Sequence, residues 1–166
     1  MNQGQLADAP HPAVKIRRVT FMSRRKAEAL LPGVPSAIIS IYDVSEQPAE
    51  FQRGWLGVLY LRFHDTDGGQ MGLETYNRVY AAKALAFVME HGGTAEHLVV
   101  RCNAGQSRSA GMALMLSEAL RVPCFKESLP VNAEKYNAYN RLVYSMTWRA
   151  AMSAMGDTFL EWSGNA

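Results

Sequence analysis

Apolar and polar positions change period along the chain, and each change marks an element. Val19–Met22 is a short apolar run that predicts a strand, and Ser23 before Arg24–Leu31 reads as an N-cap and a short helix that Pro32-Gly33 ends. Ala37–Tyr42 (A-I-I-S-I-Y) is apolar on both faces, as an interior strand is. Ser45–Trp55, with Pro48 and Gly54, reads as a connection; Val58–Phe63 is another strand, and His64–Gly72 is a polar, glycine-rich loop. Between Thr75 and Glu90 the apolar residues Tyr76, Val79, Tyr80, Ala84, Phe87 and Val88 fall on one helical face, which Gly92-Gly93 closes. A strand over His97–Arg101 then leads through Cys102–Arg108 into a helix over Ser109–Leu120, ended by Val122-Pro123. Asn132 is read as the cap of a last helix through Met155, with Tyr139, Leu142, Val143 and Met146 as its stripe.

Strands alternating with helices predict an α/β fold: one domain with a central, mostly parallel sheet flanked by helices on both faces. Ligands of such sheets bind at the carboxyl ends of the strands, which is where the loop Cys102–Arg108 falls. Residues 1–13, without periodicity, read as a flexible arm, 14–156 as the domain and 157–166 as a C-terminal tail containing Trp162.

At 166 residues the chain fits one core, and 48% apolar residues argue for a folded protein rather than a disordered one. The formal net charge of +2 gives no strong pull toward nucleic acid; the short basic clusters Lys15–Arg18 and Arg24–Lys26 read as solvated faces. No apolar run is long enough for a membrane span, and Met1–Pro12 lacks the apolar stretch of a secretory signal, so the expectation is a cytoplasmic protein. Cys102 and Cys124 are then reduced thiols. The four histidines are scattered and no paired ligand pattern is present, so no metal and no cofactor is expected.

The loop carries the chemistry. A Cys followed six residues later by an Arg is weak as spacing alone, but here Gly105 stands at its middle, hydroxyls stand at Ser107 and Ser109, a strand precedes it and a helix follows. A tight turn into a helix amino terminus directs backbone N–H groups inward to hold an anion. On this reading Asn103, Ala104, Gly105, Gln106 and Ser107 cradle a phosphate, and Arg108 adds a planar fork of donors that a lysine would not reproduce. The same field favours a thiolate at Cys102, so one loop supplies nucleophile and cradle. Ser109 has two readings, a hydrogen-bond donor to that thiolate or a helix cap. Cys124 has two as well, a disulfide partner for Cys102 under oxidation or a small buried apolar residue.

C-N-A-G-Q-S-R-S from Cys102 to Ser109 resembles the signature loop of the cysteine-dependent protein tyrosine phosphatases, most nearly the small dual-specificity-like members of bacteria and their phages. The order of elements from Ile38 to Leu120, about half of the chain, agrees with that family. The resemblance implies the family's fold and a two-step hydrolysis through a phosphocysteine. The chain departs from the pattern at Arg101, where the family usually has histidine before the cysteine.

Phosphoryl transfer also needs a proton for the leaving oxygen. The candidates are Asp65 and Asp67 in His64–Gly69, and both also suit an ordinary turn. Phe63-His64-Asp65 resembles the F-D-D segment of the regenerating-liver phosphatases, which points to Asp65, with Asp67 the alternative. The expected substrates are phosphorylated proteins or peptides, phosphotyrosine first and phosphoserine or phosphothreonine second, with phosphate, vanadate or sulfate as small occupants of the loop. No Lys or Arg lies between Cys102 and Arg108, which disfavours multiply phosphorylated inositides. The alternatives are a phosphatase of nucleotide or RNA 5′-phosphates and a phosphate-binding module with little turnover.

Overall fold

The computed structural model describes residues 13–153. The arm (save Ala13), the C-terminal tail and the expected helix end at Met155 lie outside the described residues. The elements run β1 (Arg18–Ser23), α1 (Arg24–Ala29), β2 (Ser36–Tyr42), β3 (Gly57–Arg62), α2 (Arg78–His91), β4 (His97–Cys102), α3 (Arg108–Leu120), β5 (Cys124–Lys126), β6 (Leu129–Val131) and α4 (Arg141–Ala151). They form an α/β fold around a six-stranded sheet of order β3-β2-β4-β1-β5-β6, parallel throughout except for the antiparallel β5–β6 pair.

The strands alternate between two cores. Val19, Phe21, Ala37, Ile39, Ile41, Leu98, Val100 and Cys102 join the large cluster under α2, α3 and α4. Met22, Ile38 and Val99 face the other way, with Ala27 of α1 and with Phe51 and Trp55 of the β2–β3 connection. Helix α3 is buried along nearly its whole length, including Gly111, where an added Cβ would lie 2.5 Å from the Asn140 carbonyl oxygen. That close approach seats the start of α4 on the first turn of α3.

Two expectations need correction. The last helix does not begin at Asn132: that residue caps one turn, its Oδ1 accepting from Lys135 N–H, and α4 begins after Asn140, whose Oδ1 accepts from Val143 N–H. Both asparagines precede apolar residues, but only the second faces an amide that starts a continuing helix. The region after Pro123 also holds a β-hairpin, too short at three residues a strand to show a period and turned at Glu127 with φ of 58°. Helix α2 starts at Arg78, two residues after the first residue of its apolar stripe, because the Asn77 side chain accepts from Val79 and Tyr80 N–H. Ser23 caps α1 as expected, through a bond from Lys26 N–H.

Candidate functional site

The carboxyl ends of β2, β3 and β4 bring together Asp43, the loop after Phe63, and Cys102. Cys102 ends the central strand β4 and is 2% exposed. Residues 103–107 then turn directly into α3, whose first residue is Arg108. Gly105 makes the turn possible. It has φ of +67°, and a Cβ there would lie 2.2 Å from Ser23 N and 2.4 Å from Met22 C, so the loop packs against the β1–α1 corner at backbone contact.

The loop's carbonyls are tied outward: Asn103 O accepts from Arg24 N–H, Gln106 O from the Tyr136 hydroxyl at 2.6 Å, and Ser107 O from Gly111 and Asn140 N–H. In a trans peptide the N–H points opposite to the C=O, so the amides of Ala104, Ser107 and Arg108 face away from these partners. Cys102 Sγ lies 3.0 Å from Ser109 Oγ, and both groups are buried. Ser109 therefore meets the thiol. It does not cap the helix, since the N-cap is Ser107, whose hydroxyl is engaged elsewhere.

Arg108 is 4% exposed and fixed at one end of its guanidinium. Nη1 donates to Asp43 Oδ1 at 2.9 Å and to Phe63 O at 2.7 Å, and Nη2 donates to Asp43 Oδ2 at 3.3 Å. Nε is buried with no partner among the described residues. The end-on pair with Asp43 thus leaves the side-on edge open: Nε–H has no acceptor, and Nη2 keeps its second hydrogen on that side. A buried N–H without an acceptor is costly, and an anion on this edge would satisfy it.

Asp65 stands beside the loop. Its Oδ1 accepts from Ser107 Oγ–H at 2.9 Å and from Asn140 Nδ2–H at 2.7 Å. Asp67 is turned back on its own loop, where its Oδ1 accepts from Gly69 N–H. The loop is pinched at its neck, with His64 N–H donating to Glu74 O and Glu74 N–H to His64 Nδ1. Asp65 sits at this closed neck and Gly68, Gly69 and Gly72 lie beyond it. A cleft of about 670 Å³ opens alongside, lined by Asp65, Thr66, Tyr139, Asn140, Arg141 and Leu142 among others.

Arg101 lies on the other face of the sheet. It is fully buried, donates from Nε to Ser40 Oγ at 2.7 Å, and has Nη1 and Nη2 unpartnered among the described residues. Burial holds its pKa below the usual arginine value, with Arg24 acting in the same direction. Cys124 is out of reach of Cys102: β1 lies between their strands, pairing Ser23 with Cys102 and Val19 with Cys124. Two strand spacings and a four-residue offset separate the two by roughly 16 Å, against the ~7 Å limit of a disulfide. Burial pushes the Cys124 thiol up to about 12, the behaviour of an inert packed thiol.

The site thus contains three residues that the sequence pattern did not single out: Asp43, Tyr136 and Asn140. Asp43 had a usable signal, being the first residue after β2 at the carboxyl edge. Tyr136 and Asn140 had none of that kind, because they reach the loop only through the path of the β6–α4 connection. Among the described residues no three His, Cys, Asp or Glu side chains come together as a metal site would require, and no helix is long and apolar enough to cross a membrane. The arrangement offers a buried thiol with a hydroxyl beside it, a clamped guanidinium with one free edge, and a carboxyl group at the rim. No family model matches the chain, and no curated protein matches it.

Proposed function

We propose that the protein is a cysteine-dependent phosphatase that hydrolyses phosphomonoesters, with protein phosphotyrosine the favoured substrate and phosphoserine or phosphothreonine the second. The observation that carries this reading is the pairing, across one loop, of the Cys102 thiol with the uncommitted buried edge of Arg108. The outward-tied carbonyls support it, because amides facing the other way suit the oxygens of a phosphate. The half-buried rings of Tyr136 and Tyr139, beside the loop and the Asp65 cleft, favour an aryl ester.

In the first step the Cys102 thiolate attacks phosphorus; an S–P bond forms, the P–O ester bond breaks, and Asp65 gives its proton to the departing oxygen. In the second, water attacks the phosphocysteine, Asp65 takes a proton back, and the thiolate leaves with a hydrogen bond from Ser109. Arg108 spans two phosphate oxygens in both steps. The test is turnover of a small aryl phosphate beside vanadate binding. Wild type turns over and binds, while Cys102→Ser loses turnover and still binds because Arg108 and the backbone remain. Turnover by Cys102→Ser at the wild-type rate would refute the covalent route.

A further inference from the structure

Asn140 is more than the cap of α4. It is 8% exposed and joins four pieces of structure: its Oδ1 accepts from Val143 N–H in α4, its backbone N–H donates to Ser107 O in the loop, its carbonyl abuts Gly111 of α3, and its Nδ2 donates to Asp65 Oδ1 and to Thr66 O. The partners fix which way the amide points, since Val143 N–H can only donate while Thr66 O can only accept. Ser107 Oγ–H donates to the same Asp65 oxygen. Two side-chain donors, Asn140 Nδ2 and Ser107 Oγ, therefore converge on Oδ1, and a proton on this carboxyl group must reside on Oδ2.

Building on the phosphatase reading, we propose that Asn140 is a positioning residue for the general acid, holding Asp65 by Oδ1 so that Oδ2 carries the proton to the leaving oxygen. As the proton departs, charge grows on the carboxylate, and the bonds from Asn140 and Ser107 become charge-assisted, so they are stronger in the transition state than before it. The benefit is confined to the step that protonates the leaving group. It is large for an alkoxide or unactivated phenoxide and small for an activated aryl oxide that departs unprotonated. Ser107, read from the sequence as a phosphate contact, commits its side chain to this task and leaves the cradle to its backbone.

The experiment is a double-mutant cycle with Asp65→Asn, read on phosphotyrosine peptide and on an activated aryl phosphate. Asn140→Ser keeps a good capping residue and removes the reaching NH2 group. It is expected to lower kcat on phosphotyrosine about 10-fold, the worth of one hydrogen bond to a charged group, with KM little changed and the activated ester within about 2-fold. In the Asp65→Asn background the same change should cost nothing further. Should Asn140→Ser fold poorly, Asn140→Gly also keeps a tolerated capping residue, removes the same NH2 group without adding charge, and gives the same pattern. Equal losses on both substrates, or losses that add in the double mutant, would overturn the proposal by showing a purely structural role. A selective loss in Asp65→Asn with Asn140→Ser silent would overturn it while the phosphatase reading stands. No turnover by the wild type would overturn both.

Discussion

Replacing Gly105 by alanine probes the turn that the whole site depends on. At φ of +67° an alanine pays about 1–2 kcal/mol in left-handed strain. Its Cβ would also stand 2.2 Å from Ser23 N, 2.4 Å from Met22 C and 2.8 Å from Met22 O. Ordinary contact lies near 3.5 Å, so something must move by about 1 Å. The β1–α1 corner resists, because Ser23 is held in register against Cys102 and caps α1 through its side chain. The loop must therefore lift away from β1, at an overpacking cost of roughly 1–3 kcal/mol. The total of about 2–5 kcal/mol corresponds to a fall in Tm of roughly 4–20 °C for a domain of this size. On the proposed phosphatase reaction, a displacement of that extent between Cys102 and the loop should lower kcat/KM by about 10²-fold. Calorimetry and steady-state rates read the two effects separately. Gly54→Ala is the control: its φ is +103° with nothing within 4 Å of the added Cβ, so it carries strain alone and leaves kcat/KM unchanged. A Gly105→Ala protein with wild-type rate and stability would refute the close packing of the loop.

Asp43→Asn removes the charge that clamps Arg108; because Asp43 is 29% exposed and Phe63 O still holds Nη1, the stability loss should be about 1–2 kcal/mol, with a larger effect, a fall of ~10-fold or more in kcat/KM, as the fork loses its orientation. Wild-type kinetics in Asp43→Asn would detach that pair from function. Asp65→Asn should slow phosphotyrosine hydrolysis by roughly 10²–10⁴-fold and an activated ester far less, whereas Asp67→Asn should do neither; the reverse pattern would move the acid to Asp67. His97, buried against Thr20, has its pKa lowered to about 4 by burial first and then by Arg18. Its unfolded pKa is about 6.5, so between those values the unfolded state binds the extra proton. The stability it contributes is present in full above pH 6.5 and is lost as pH falls toward 4. The Tm of wild type should decline across that window more steeply than that of His97→Gln, and parallel declines would show that His97 is not the titrating group.

How much of this was legible in the sequence depends on how local the determining interaction is. The strand–Cys102–Gly105–Arg108–helix run could be read directly, because a strand, a turn glycine and a helix are each encoded within a few residues. The mostly parallel sheet followed from alternation, and the interior position of β2 followed from its unbroken apolar run. The β5–β6 hairpin was hidden because neither three-residue strand can display a period and Pro130 argues against one. Asn132 and Asn140 are indistinguishable as caps until the chain's return to α3 at Gly111 is known. The clamp from Asp43 to Arg108 spans 65 positions and the bond from Asn140 to Asp65 spans 75. Such long-range polar pairs leave no periodic trace. Arg101 is the opposite case: its place before Cys102 was plain, but only the pleat shows that its side chain turns away from the thiol and is buried beside Ser40.

On the proposed phosphatase reaction, Cys102 carries the phosphoryl group during turnover. Rapid acid quenching of the protein during hydrolysis of a phosphotyrosine peptide, followed by intact-mass and peptide mass spectrometry, tests it most directly. The expected result is a species heavier by one phosphoryl group, mapped to Cys102, that accumulates when Ser109→Ala slows the second step and is absent from Cys102→Ser. Steady turnover with no such adduct in either wild type or Ser109→Ala, together with hydrolysis by Cys102→Ser, would contradict it.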